Sequence, residues 1–389
     1  MLKNRNMMPN PIVVPKLSPK SGLKGFLSRL AIFAAVIVLG GTPVRANMVI
    51  VPVWDTTITS DPAYSTITNT IMKAIAVYAG CFSNNITVYI NFQEMTSGLG
   101  ESSYAYYYVS YSYYRSHLAA GASTFYVTNA LAHLPNTTTN PVNGNVTNYV
   151  NLPLGRALGM TQDGFGHSIN WSTSASDPDG TVYLNTSLMN LSRPPTNADD
   201  YDLMAVASHE IDEVLGIGSA LSGLNNGDPA PTGAIPPFDL FRYDQNGNRS
   251  FNTDSNALAY FSLDGATRLV QFNQYDFGDF NDWNSWPYGG IPPRVQDAFS
   301  TPGATPNLDV ELIALDVIGY NLVIPKLTLT KTGARTTTIS WPASTAGFIL
   351  QVSTNLASTN YWQDSITGTN NPVTVTNSAP AKFYRLGRN

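Results

Sequence analysis

The sequence predicts an α+β domain followed by a small all-β domain. Residues 63–81 carry apolar side chains at helical spacing, residues 86–92 alternate between apolar and polar types, and the last 65 residues contain strand patterns only. Pro325 separates the two regions, so we expect domains at residues 47–322 and 325–389. A chain of 389 residues, 43 % of them hydrophobic, is long enough to build both cores.

Residues 1–46 have the features of a signal peptide. Six basic residues precede or flank the apolar run at 30–39, and Val44 and Ala46 are small residues suited to cleavage after Ala46. The apolar run is short for a bilayer span, which favours a cleaved signal over an uncleaved membrane anchor. We therefore expect a secreted or extracellular protein, released or kept on the cell surface, with no membrane span in the mature chain.

The charge of the mature chain argues against a nucleic-acid partner. The signal segment holds seven of the 21 basic residues and none of the 26 acidic ones, so its removal leaves a formal net charge of −12. No basic patch remains that could neutralise phosphates. The single cysteine, Cys81, excludes an intramolecular disulfide, so stability must come from the buried core and any bound metal.

A capped helix opens the α+β domain. Asp61 and Pro62 form a helix start, and apolar residues at helical spacing extend the helix to Cys81. The strand pattern at 86–92 follows, and residues 98–103 have the composition of a loop.

Residues 104–114 (YAYYYVSYSYY) are unusually rich in tyrosine. Tyrosine favours strands and packs its ring against neighbours, so an extended segment is the favoured interpretation. The alternative is a substrate-binding wall. Short helices are expected after this segment, at 115–122 and 128–134.

The central helix of the domain is predicted at 203–215. Asp200 or Asp202 can cap its start, apolar residues mark a buried side, and Gly216 fits a left-handed turn at its end. A hairpin joining 259–263 to 269–272 follows.

The rest of the chain predicts a loop, a helix and the second domain. An aromatic, acidic loop lies at 277–286, and a final helix at 308–318 ends at Gly319. Six short strands then suggest a β-sandwich without acid/base or metal clusters, which we interpret as an accessory or attachment domain. These strands are expected at 327–332, 336–341, 348–353, 361–366, 373–376 and 382–386.

The most informative pattern lies within the central helix. His209 and Glu213 are four residues apart and share one helix face, while Glu210 lies where a general base would act. Zinc accepts imidazole nitrogen and carboxylate oxygen, so both side chains can be ligands. The zinc-protease motif has His where this chain has Glu213, and a carboxylate there would raise the pKa of metal-bound water. The alternative is a helix that carries these residues by chance.

The motif resembles the metzincin zinc-protease consensus, and the wider sequence resembles secreted bacterial metzincin-like proteins. The segments that carry this second resemblance follow the helix and extend the similarity over residues 50–320. They are Asp239–Tyr243 (DLFRY), Ala259–Gly265 (AYFSLDG), Gly278–Trp283 (GDFNDW) and Leu315–Tyr320 (LDVIGY). The last 65 residues resemble fibronectin-type accessory sandwiches.

The resemblance implies a zinc-dependent endopeptidase with His209 and Glu213 as zinc ligands and Glu210 as the base. Ser219 occupies the position at which the family has its third ligand. Asp239 is the preferred replacement, because it begins an ordered-looking segment after the helix. Asp228 and His167 are the other candidates.

Two functions follow as hypotheses. The first is a secreted zinc endopeptidase that hydrolyses a peptide or protein substrate through a metal-activated water. The second is a catalytically inactive, metalloprotease-like surface or matrix binding protein, since the second histidine and the usual third ligand are missing. A serine hydrolase is remote, because the chain has no Gly-x-Ser-x-Gly elbow.

Residues 244–250 offer oxygens at alternating positions, as calcium loops do. The glutamate expected at position 12 of such a loop is Ser255 here. A polar hairpin turn is therefore the favoured interpretation.

Overall fold

The protein is described from a computed structural model that defines residues 47–287, 289–323, 325–341, 348–355, 362–365, 371–376 and 381–388. The signal peptide predicted at 1–46 and part of the strand predicted at 361–366 lie outside these residues. The defined part is a mixed α and β fold, consistent with the expected α+β class.

Seven α-helices occur in the described part of the chain, with 3₁₀ turns at Thr186–Leu188 and Pro237–Phe241. The α-helices are α1 (Thr56–Thr59), α2 (Tyr64–Cys81), α3 (Tyr111–Gly121), α4 (Phe125–Ala132), α5 (Leu152–Ala157), α6 (Leu203–Leu215) and α7 (Val310–Ile318).

The strands of residues 47–323 form one four-stranded sheet and several small pairings. They are β1 (Val49–Trp54), β2 (Thr87–Glu94), β3 (Gly100–Tyr104), β4 (Tyr106–Ser110), β5 (Thr147–Asn151), β6 (Gly180–Leu184), β7 (Met189–Asn190), β8 (Tyr201–Asp202), β9 (Arg242–Asp244), β10 (Ala259–Phe261) and β11 (Val270–Gln271).

The main sheet has the order β1-β2-β6-β3, with β1, β2 and β6 parallel and β3 antiparallel at one edge. Strand β3 occupies residues that the sequence predicted as loop. Its backbone hydrogen bonds come from pairing with β6, which lies far away in the chain, so local composition does not reveal them. The hairpin of β10 and β11 is antiparallel, as predicted.

Helix α6 packs against β3 and β6 of this sheet and against α2. Its observed bounds are the predicted ones. Asp202 caps its start by accepting a hydrogen bond from the N–H of Ala205, and Gly216 ends it with φ of +130°. The hydroxyl of Tyr78 in α2 donates to the Ser208 carbonyl and to Asp212, which ties the two helices together. These contacts hold the motif helix in a fixed orientation.

The C-terminal strands form two antiparallel sheets of three strands, with the orders β12-β13-β16 and β15-β14-β17. Ile339 and Val373 from one sheet and Leu350 from the other meet in one apolar cluster, as expected for a sandwich. The strands are β12 (Thr328–Lys331), β13 (Thr336–Ser340), β14 (Phe348–Ser353), β15 (Gln363–Asp364), β16 (Val373–Thr376) and β17 (Phe383–Arg388).

Among the described residues, no helix combines the length and the apolar character needed to cross a bilayer.

Candidate metal centre

One histidine and two carboxylates converge at the outer face of α6. Nε2 of His209 lies 3.9 Å from Oε1 of Glu213 and 3.5 Å from Oδ1 of Asp282. One ligand atom from each of the three residues lies within 4.8 Å of the others. The four-residue spacing on α6 explains why His209 and Glu213 lie together, and the loop before Trp283 brings Asp282 to them.

Trp283 anchors the loop that presents Asp282. Its ring is fully buried and packs against Phe238, Phe261 and Phe272. Its Nε1–H donates a 2.8 Å hydrogen bond to Glu311 on α7. Because Trp283 is fixed in the core, the adjacent Asp282 is held in position as well.

A hydrogen bond sets the tautomer of His209. Nδ1 lies 3.0 Å from the carbonyl oxygen of Val295, which can only accept, so Nδ1 carries the proton. In the neutral imidazole, Nε2 then presents a lone pair towards Glu213 and Asp282. Metal-binding histidines are commonly oriented by this kind of contact.

Side-chain donors hold the two carboxylates. Ser102 Oγ donates to Glu213 Oε2 at 2.7 Å. Nδ2 of Asn281 donates at 3.0 Å to both Glu213 Oε1 and Asp282 Oδ1. Nε2 of Gln296 donates to Asp282 Oδ1 at 2.9 Å and lies 3.2 Å from Nε2 of His209. The ligand atoms are thus held in place by neutral donors.

The surroundings are acidic and buried. Burial raises the pKa of Glu210 well above its usual range, and the nearby Glu213, Asp282, Asp279 and Glu101 raise it further. Burial and the same neighbours, Asp279 and Glu213, also raise the pKa of Asp282. These residues line a cleft of about 160 Å³ whose described walls contain no lysine or arginine. Clustered buried carboxylates of this kind are stabilised by a cation.

The donor set fits a divalent cation. In a tetrahedral zinc site with bonds of about 2.0–2.1 Å, ligand atoms lie roughly 3.3 Å apart. The observed 3.5 and 3.9 Å separations are close to that value. One imidazole nitrogen with two carboxylate oxygens is also a chemically suitable set for zinc.

The structure places Asp239 outside this group. Its carboxylate accepts hydrogen bonds from Ser219 Oγ at 2.6 Å and from the N–H of Ala220 at 2.9 Å. These bonds place the Asp239 side chain, which lies in a 3₁₀ turn, against the residues that follow α6. Asp282 is the third member of the group instead.

The other ligand candidates also lie elsewhere. His167 is exposed, and its Nδ1 lies 2.6 Å from Asp163 Oδ2. Asp228 accepts hydrogen bonds from Asn225 within its own turn. Asp244 likewise accepts the N–H groups of residues 246 and 248, which agrees with a polar turn at 244–250.

Glu210 lines the same cleft as His209, Glu213 and Asp282, and it lies against β3. A methyl group on Gly100 would collide with Glu210 Oε1 and would lie 2.8 Å from Val206 Cγ1. Only glycine at position 100 therefore lets the strand approach the helix while Glu210 keeps this position.

A second cavity, of about 290 Å³, adjoins the first. Tyr104, Tyr106, Tyr108 and Tyr149 line it, and Glu213 contributes to the walls of both cavities. Residues 104 and 106–110 of the tyrosine-rich segment form strand, as favoured from the sequence, whereas residues 111–114 begin α3. The side chains of Tyr104, Tyr106 and Tyr108 also face a cavity.

Sequence reasoning missed Asp282 and Gln296. Asp282 was visible only as one of several acids in the aromatic loop at 277–286. Gln296 lies in a stretch without any helix or strand periodicity. Their proximity to His209 arises from long-range packing, which a single sequence does not display.

Comparison with known proteins finds no matching family model, no matching curated protein and no matching solved structure. The interpretation of the cleft therefore depends on its own geometry and on the motifs of the chain.

Proposed function

We propose that the chain is a secreted, metzincin-like, zinc-dependent endopeptidase. The observation that carries this proposal is the convergence of His209, Glu213 and Asp282 beside the buried carboxyl of Glu210. The metzincin-like motifs around residues 209–216 support it. In this proposal Asp282 takes the role that the sequence suggested for Asp239.

Each residue has a defined task in this proposal. His209, Glu213 and Asp282 would hold the cation, and Ser102 and Asn281 orient the carboxylates. A bound zinc ion supplies Lewis acidity, which polarises the substrate carbonyl and makes water more acidic. Glu210 accepts the proton of the attacking water at its carboxylate and passes it to the leaving amine.

The edge strand β3 offers a place for the substrate backbone. Among the described strands it pairs only with β6, and its residues border both cavities. An extended peptide can add to such an edge through main-chain hydrogen bonds. A peptide bound there would pass over the cleft that contains Glu210.

Metal analysis and hydrolysis of a peptide library by the purified protein test the proposal. We expect about one zinc per chain. Glu210→Gln should abolish hydrolysis and retain zinc, whereas Glu94→Gln, outside the cleft, should leave both unchanged. Hydrolysis by Glu210→Gln would remove Glu210 as the base.

A non-catalytic binding protein is the second candidate, and one observation favours it. The amides of Asn281 and Gln296 already donate to the carboxylates and to His209, so the polar network is largely satisfied without a cation. A folded protein that contains no zinc and cleaves no peptide would support this candidate over the enzyme.

A further inference from the structure

Gln296 is a fully buried amide whose two polar atoms are used unequally. Its Nε2 donates to Asp282 Oδ1 and approaches His209 Nε2, whereas its Oε1 is buried without a hydrogen-bond partner. A buried acceptor without a partner costs about 1–3 kcal/mol. A buried acceptor of this kind needs a physical explanation, and a partner such as an ion is one.

The NH₂ group and a cation compete for the same lone pairs. Nε2 of Gln296 lies 3.2 Å from His209 Nε2 and 2.9 Å from Asp282 Oδ1, the atoms that would face the cation. The amide hydrogens carry partial positive charge. An inward NH₂ therefore stabilises the cluster without a cation and repels a cation that enters it.

The backbone of Gln296 is fixed, so its side chain must respond by rotation. The Trp283 N–H donates to the Gln296 carbonyl at 2.7 Å, and the Gln296 N–H donates to Glu311 Oε1 at 3.2 Å. The terminal amide torsion is broad and roughly two-fold. A half-turn exchanges Nε2 and Oε1 without moving the chain.

We propose that Gln296 is the fourth protein ligand of the cation, through Oε1 after this half-turn. The inference deepens the proposed function and depends on it. Amide oxygen is a neutral, hard donor that suits divalent cations. It adds a fourth donor without adding charge to the cluster of Glu210, Glu213 and Asp282, and the attacking water would then take a fifth position, which zinc accepts.

The change in zinc affinity on replacing Gln296 has opposite signs for a purely structural role and for a ligand role. If Gln296 only satisfies the cluster, its NH₂ must be displaced by the cation, and its removal leaves zinc affinity unchanged or higher. If Oε1 is a ligand, its removal lowers zinc affinity. The sign of the change therefore separates the two roles.

The experiment is a titration of the purified protein with zinc chloride against a chromophoric chelator. We expect Gln296→Met to weaken zinc binding by at least about ten-fold. Gln296→Glu keeps an oxygen in either rotamer and should bind zinc at least as tightly as the wild type. Asn284→Ala is the matched control, because it removes another buried amide oxygen without a partner from the same loop region. It should leave the affinity unchanged.

The outcomes separate this inference from the function that it depends on. If the wild type binds zinc and Gln296→Met binds it equally well or more tightly, Gln296 is not a ligand, and the proposed function is unaffected. If Gln296→Met does not fold, weaker zinc binding by Gln296→Glu than by the wild type overturns it equally. A wild type that binds no zinc overturns both the proposed function and this inference.

Discussion

His209 Nε2 and Asp282 Oδ1 lie 3.5 Å apart although they belong to a helix and to a distant loop. This contact distinguishes Asp282 from Asp239 as the third candidate ligand. We expect Asp282→Asn to lower zinc content strongly, because a charged oxygen donor is lost. Asp239→Asn should retain zinc and lower the thermal midpoint, since it weakens the contacts with Ser219 and Ala220. Zinc content by mass spectrometry and melting curves check both results; loss of zinc from Asp239→Asn alone would restore the original assignment.

Gly100→Ala tests the close approach of β3 to α6. The added methyl group collides with the Glu210 carboxylate, so this side chain must move. We expect hydrolysis to fall by about 100-fold or more, as for a misplaced catalytic group, while zinc remains bound. Gly121→Ala is the control, because nothing lies within 4 Å of its new methyl group. Full activity of Gly100→Ala would show that the position of Glu210 is not critical.

Arg242→Met tests how the loop of Asp282 is held. The buried guanidinium of Arg242 donates to the carbonyl of Phe280 at 2.6 Å and to that of Asn273 at 3.1 Å. Without it these carbonyls lose their donors, so we expect a loss of about 3 kcal/mol in the free energy of unfolding and weaker zinc binding.

Arg249→Met is the matched control for this arginine. Arg249 also lies over an aromatic ring, that of Tyr243, but it contacts no part of the 273–280 loop in the bonds that the structure shows. Urea unfolding and zinc titration should separate the two variants. Equal zinc affinities for Arg242→Met and the wild type would contradict a role for Arg242 in placing Asp282.

Asp316 should make stability depend on pH. Burial raises its pKa from 3.8 to about 6, although Thr124 and the N–H of Leu322 donate to it. Between pH 4 and 6, approximately, the folded state binds more protons at this site than the unfolded state. The contribution of Asp316 to stability therefore falls as pH rises through this window and is constant above it.

The comparison with Asp316→Asn isolates this contribution. Relative to the variant, the wild type should lose at most about 3 kcal/mol of unfolding free energy between pH 4 and 7. Urea unfolding at several pH values measures the difference. Parallel profiles for the two proteins would contradict the raised pKa.

Local signals explain what the sequence could predict. The bounds of α6 follow from the cap at Asp202, the apolar periodicity and Gly216, all of which lie within the helix or next to it. The pairing of β3 with β6 and the approach of Asp282 to His209 depend on contacts between distant segments. The sequence favours Asp239 because it begins an ordered-looking segment after the helix, but in the structure its carboxylate accepts hydrogen bonds from Ser219 and Ala220.

Because Glu213 forms part of the walls of both cavities, a molecule in either cavity can contact the same carboxylate. A molecule that changes the hydrogen bonding of Glu213 from the tyrosine side alters the affinity for a cation on the His209 side. Reciprocity then requires the cation to change the affinity for that molecule by the same factor.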